Sequence, residues 1–158
     1  MSPLRRAIEP FITPIFRAWW RINRGMTLGV RGVATDAQGR VLLIRHTYID
    51  GWFLPGGGVE SGEVALDSLR REMAEEAGVD VGTALLFGVY SNAPGFRNDH
   101  VLLYRVAEWR ETPPASDGEI AERGFFALDA LPDGVSNGTR ARLDEIFRDA
   151  PQATHWAP

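Results

Sequence analysis

Arg71, Glu72, Glu75 and Glu76 place three carboxylates and a guanidinium within six residues of chain. On a helix Glu72, Glu75 and Glu76 stand at i, i+3 and i+4, so they share one face. Left unpaired, each like-charged i,i+4 pair is unfavourable by about 0.2–0.5 kcal/mol. A divalent cation reverses that sign, and hard carboxylate oxygens suit Mg²⁺, which keeps some waters and takes other ligands from substrate phosphates. Mn²⁺ is a plausible substitute on the same donors. Arg71 precedes Glu75 by four residues and can hold a carboxylate in a bidentate fork. Taken alone, such an acidic face is more often a solvated helix surface than a metal site.

These side chains need a scaffold. Residues 64–77 read as a helix that stops at Gly78, the glycine expected just past a helix end. Before it, Trp52–Gly58 holds a proline and three successive glycines and reads as a tight loop, with Gly56, Gly57 and Gly58 letting backbone approach a metal or phosphate. Glu63, at the start of the helix, either complements the helix dipole or pairs with Arg71. Residues 27–35 and 41–46 suggest a hairpin across Asp36-Ala37-Gln38-Gly39. Further strands are expected near 83–91, 100–108 and 120–127, and a last helix around 138–148 has Leu143, Ile146 and Phe147 on one face. Strands alternating with a few helices imply an α/β class, a sheet covered on both faces.

The 158 residues suffice for one domain with a sizeable core. There is no cysteine, which excludes disulfides, thiolate chemistry and cysteine-ligated zinc and fits a cytoplasmic protein. Net charge is −4 and every basic residue is Arg, with no dense basic stretch, so nothing electrostatic points to DNA. No apolar run approaches the ~18–20 residues of a membrane span, and the N-terminus lacks the apolar core of a signal peptide. Residues 1–25 form an amphipathic arm in which Leu4, Ile8, Phe11, Ile12, Ile15, Phe16, Trp19 and Trp20 recur at helical spacing between arginines. Packing on its own domain or a second subunit is the favoured reading, and Trp19 and Trp20 suit the anchors of a homodimer interface. Contact with a membrane surface is the less favoured alternative. The domain is taken as 26–150, with 151–158 as a C-terminal tail.

The stretch Gly57–Val79, GGVESGEVALDSLRREMAEEAGV, matches the Nudix box completely: Gly57, Glu63, Arg71, Glu72, Met73, Glu75, Glu76, Gly78 and Val79 all fall in register. Seven fixed identities and two apolar positions arise by chance in such a chain roughly once in ten million. The chain therefore resembles the Nudix hydrolase superfamily over about residues 27–148, with Trp52-Phe53-Leu54-Pro55 extending the likeness upstream. The resemblance implies a Nudix fold, an α/β/α sandwich around a mixed β-sheet with the box as a loop–helix–loop. It implies Mg²⁺-dependent hydrolysis of a pyrophosphate bond in a nucleoside diphosphate linked to another moiety. Carried over by position, Glu72, Glu75 and Glu76 are metal ligands with the Gly56 carbonyl, and Arg71 orients the carboxylates.

Family members often draw a general base from an acidic residue beyond the box. Glu119 is preferred over Glu122, both preceding Phe125-Phe126. Trp52 and Phe53 are candidates to stack on a base, as are Tyr48 and Tyr90, though each also suits a core. Asp99 and His100, at the start of a strand, are candidates to reach the substrate. Pro94 sits where ADP-ribose-cleaving relatives tend to carry a proline, so ADP-ribose or a nucleotide sugar is slightly favoured. The alternatives are a sanitising pyrophosphatase for nucleoside triphosphates and a non-catalytic nucleotide-binding module.

Overall fold

The computed structural model describes residues 25–93, 95–113 and 118–157. The N-terminal arm up to Arg24, and Pro94, lie outside the described residues. Strand β1 (Thr27–Val33) runs into the turn Asp36–Gly39, where the Asp36 carboxylate accepts from the Gln38 and Arg40 amides, and β2 (Val41–His46) follows. These two strands were expected to form a hairpin, but one bridge between Thr35 and Val41 is all that joins them. Instead β1 lies parallel to β4 (Asp99–Glu111), and β2 lies antiparallel to β5 (Ile120–Phe126). The physical reason is in β2 itself. Val41-Leu42-Leu43-Ile44 is apolar on both faces, which suits a strand buried between two layers better than half of an exposed hairpin.

Strand β3 (Val79–Ser91) pairs antiparallel with β4, so the larger sheet has the order β1-β4-β3 and is mixed, as expected. Helix α1 (Ala65–Ala77) ends at Gly78, whose left-handed backbone returns its N–H to the Ala74 carbonyl at 3.2 Å. Helix α2 (Asn137–Phe147) is capped by Ser136, whose hydroxyl accepts from the Thr139 amide.

The core has two halves, and β2 divides between them by the alternation of strand side chains. Leu42 and Ile44 join Val30, Leu69, Met73, Ala77 and Tyr104 beneath α1. Val41 and Leu43 join Leu54, Tyr90, Leu103 and Leu143 beneath α2. The strands are therefore sandwiched between helices on opposite faces, and α1 is fixed by its apolar side with its acidic side facing away from the core. Among the described residues no helix is long and apolar enough to cross a membrane.

Candidate metal and phosphate site

The core-facing residues of α1, Leu69 and Met73, are fully buried, and this sets the azimuth of the helix. Arg71, Glu72 and Glu76 then border the glycine loop, with Glu75 beside Arg71. Only Glu75 is well exposed; the Glu72 and Glu76 side chains retain 14% and 11% of their accessible surface. The alternative of a plain solvated helix face does not fit that burial.

Two glycines make the approach between loop and helix close. A Cβ on Gly57 would sit 2.5 Å from the Glu72 carboxylate, and one on Gly56 would sit 2.2 Å from the Val30 carbonyl oxygen. Gly56 also has φ +135°, a conformation that side-chain-bearing residues rarely adopt. Its N–H donates to Glu76 Oε2 at 2.8 Å.

Arg71 is the organiser of the face. Its Nε and Nη2 donate to the two Glu63 oxygens at 3.1 Å each, and Nη1 donates to Glu72 Oε1 at 2.7 Å. Glu75 Oε2 lies 3.5 Å from the same Nη1, and Nη2 also reaches the Gly58 carbonyl at 3.3 Å. Of the two readings of Glu63, the pairing with Arg71 holds. Hydrogen bonds from Arg71, Ser68 Oγ and the Glu60 amide hold the Glu63 carboxyl down at about 2. The same partnership raises Arg71, so its charge is secure. Glu76 is the opposite case: burial pushes its carboxyl up to about 7, against the lowering effect of the Gly56 N–H.

The donor set fits a hard divalent cation: three carboxylates and a loop carbonyl, with no sulfur and no unavoidable nitrogen. Among the described residues, no three acidic or histidine side chains converge as a ready-made ligand set. The reason is visible in the contacts, since Glu72 and Glu75 turn to Arg71 while Glu76 turns to the Gly56 amide. Coordination therefore means rotating carboxylates away from partners that already hold their charge.

The outlying candidates fall in different places. Glu119 stands just before β5, where its carbonyl accepts from the Thr47 amide at 2.8 Å, and its charge helps raise the Glu76 carboxyl. Glu122 is tied to Arg45 at 2.9 Å, whereas no ion pair among the described residues engages Glu119. Trp52 is buried, edge-on to Phe126 in the core half under α2, and Phe53 packs against the half under α1. Asp99 does border an open cavity, accepting from Thr27 Oγ1 and Asn92 Nδ2, both at 2.7 Å. His100, next to it, has a shielded Nδ1 with no hydrogen-bond partner among the described residues.

Two residues escaped the sequence reading. His46, at the end of β2, is buried with Nε2 3.8 Å from Glu76 Oε1, and burial is the main cause that lowers its pKa. Arg31 lies in β1 with a shielded Nη1, and burial lowers its pKa too. A lone arginine between Val30 and Gly32, inside an otherwise apolar strand, was the available signal.

A family model described as the NUDIX domain matches residues 25–149. A human 8-oxo-dGDP phosphatase is 27% identical over 115 residues, covering 71% of this chain and 36% of that protein, so the chain spans little more than a third of that relative. An RNA pyrophosphohydrolase of Legionella pneumophila is 35% identical over 142 residues, covering 90% of this chain and 70% of the relative. Among solved structures, a MutT NUDIX hydrolase from Burkholderia pseudomallei superposes with a TM-score of 0.66 at 27% identity, covering 77% of this chain and 98% of that one.

Proposed function

The chain belongs to the Nudix family, and from that premise we propose that it is a pyrophosphohydrolase using Mg²⁺ to cleave a nucleoside diphosphate linked to another group. One observation carries the reading. The complete set Arg71, Glu72, Glu75 and Glu76 shares the outward side of α1, and the Gly56–Gly57 backbone lies directly against two of its carboxylates. A non-catalytic binding module has no need of three carboxylates whose mutual repulsion must be offset.

Glu72, Glu75 and Glu76 would hold Mg²⁺ together with the Gly56 carbonyl. Held there, the ion would supply charge neutralisation at the phosphates and a more acidic water as nucleophile. The rest belongs to the chain. Arg71 offsets the repulsion between Glu72 and Glu75, so that both charges can be kept on one face until an ion draws them away. Glu63, anchored by Ser68 and the Glu60 amide, holds Arg71 in turn. Glu119 is the candidate general base: no ion pair among the described residues engages it, and it is close enough to act on Glu76 through space.

The substrate is read only to its class. ADP-ribose and nucleotide sugars come first, nucleoside triphosphates second. Incubating the protein with ADP-ribose, nucleotide sugars, an oxidised dGTP, dinucleoside polyphosphates and a triphosphorylated RNA, with Mg²⁺ or with EDTA, tests it. Chromatography of the products is expected to show cleavage at a phosphoanhydride in at least one compound, only with Mg²⁺. Nucleotide binding without cleavage of any compound would favour the non-catalytic reading.

A further inference from the structure

A cavity of about 360 Å³ opens beside the glycine loop, bounded by Thr27, Arg31, Gly57, Asn92, Phe96 and Asp99 among others. That is within the size range of small-ligand pockets. Arg31 is its anomaly. Nη1 is shielded from solvent without a hydrogen-bond partner, and no ion pair with its guanidinium exists among the described residues. A shielded donor without a partner is costly, so the unmatched Nη1 of a half-buried arginine in a cavity wall calls for an explanation.

The nearby carboxylates do not provide it. Glu76, Glu72 and Asp99 act on Arg31 only through space. Each is engaged elsewhere: Glu72 by Arg71, Glu76 by the Gly56 amide, Asp99 by Thr27 and Asn92. Even this distant compensation weakens once a divalent cation takes up the charge of Glu72 and Glu76. An anion in the cavity then becomes the natural counter-charge. The cavity is also polarised. Asp99 pairs in register with Thr27, four residues along β1 from Arg31, or about 13 Å at strand rise. The anionic end of a ligand thus belongs at Arg31, away from the Asp99 carboxylate.

We propose that Arg31 is the phosphate anchor of this cavity, its guanidinium taking a phosphate of the nucleotide whose anhydride is presented to α1. This rests on the pyrophosphohydrolase reading for the ligand class, but its test is binding and not turnover.

Calorimetric titration of wild type, Arg31→Met and Arg31→Lys with ADP, inorganic pyrophosphate and adenosine, at fixed Mg²⁺, decides it. Arg31→Met should bind ADP and pyrophosphate about tenfold to a hundredfold more weakly, the range for a lost charged hydrogen bond. Adenosine binding should not change, and the thermal midpoint should hold or rise because a shielded cation has been removed. Arg31→Lys, which keeps the charge without the fork, should fall between the two and serves if the Met variant does not fold. Equal ADP affinity in wild type and variants would overturn the proposal, as would a wild type that binds neither ADP nor pyrophosphate. A lowered midpoint with unchanged affinity would overturn it too, making Arg31 a structural counter-charge. Loss of ADP binding in Arg31→Met with no hydrolysis by wild type would uphold the anchor and sink the hydrolase reading.

Discussion

Arg71 touches Glu63, Glu72 and Glu75, so the face it organises should respond to substitutions in ways that separate chemistry from folding. Glu76→Gln keeps an acceptor for the Gly56 amide but removes a mostly buried charge beside Glu72. It should lower kcat by about two to three orders of magnitude, the scale of losing one preorganised electrostatic partner, while the melting temperature holds or rises. A pH profile of stability checks the other end of the network. The Glu63 carboxyl sits at about 2 in the folded protein against an ordinary 4.5. Its depressed pKa means that the Arg71–Glu63 contribution is fully present above about pH 4.5 and drains away as the pH falls towards 2. Melting curves of wild type and Glu63→Gln should therefore differ at neutral pH and converge in strong acid. At this scale the spacing i, i+3, i+4 fixed a shared acidic face whatever the fold, and only the match to the whole Gly57–Val79 motif turned that face into a site. His46 and Arg31 were not, because their significance depends on which strands meet behind the glycine loop.

Among the elements, the helices and their stops follow from local signals: α1 ends at Gly78 and α2 begins at the Ser136 cap. Strand partners do not. The turn at Asp36–Gly39 is real, yet β1 and β2 leave it for different sheets, since pairing is decided by burial on both faces and not by the turn between them. The loop that carries Gly56 is where an element-scale substitution should be most damaging. Gly56→Ala must adopt φ near +135° with its Cβ 2.2 Å from the Val30 carbonyl oxygen. Backbone strain alone costs about 1–3 kcal/mol, and the overlap adds to it. Chemical denaturation should show at least that loss, or the loop must reroute away from Glu76 and activity fall with it.

At the scale of the molecule, residues beyond 150 are wired into the body. The Ser91 amide donates to the Thr154 carbonyl at 2.9 Å and Trp156 N–H returns to the Ser91 carbonyl at 2.8 Å, so the chain end runs beside the end of β3. A buried pair secures it: Arg142 Nη2 lies 2.7 Å from Glu145 Oε1, Tyr90 Oη donates to Glu145 Oε2, and Arg142 Nη1 donates to the His155 and Trp156 carbonyls. Nothing in a Pro-, Ala- and Thr-containing tail predicts this, because its partners lie on α2 and β3. Glu145→Ala strands the Arg142 charge in the interior and should cost about 3–5 kcal/mol by urea denaturation, with faster amide exchange at Thr154–Trp156. Arg142→Met combined with Glu145→Leu should recover much of that loss. The core and the glycine loop hold α1 with its carboxylates against the Gly56–Gly57 backbone, and the function turns on what those acids do. The direct test is phosphorus NMR of ADP-ribose, a nucleotide sugar and a nucleoside triphosphate incubated with wild type, Glu72→Gln, Glu75→Gln and Glu76→Gln, with and without Mg²⁺. The expected result is Mg²⁺-dependent loss of an anhydride signal in wild type, slowed by about a hundredfold or more in each variant. Full Mg²⁺-dependent turnover in Glu75→Gln, or cleavage by wild type indifferent to Mg²⁺, would contradict it.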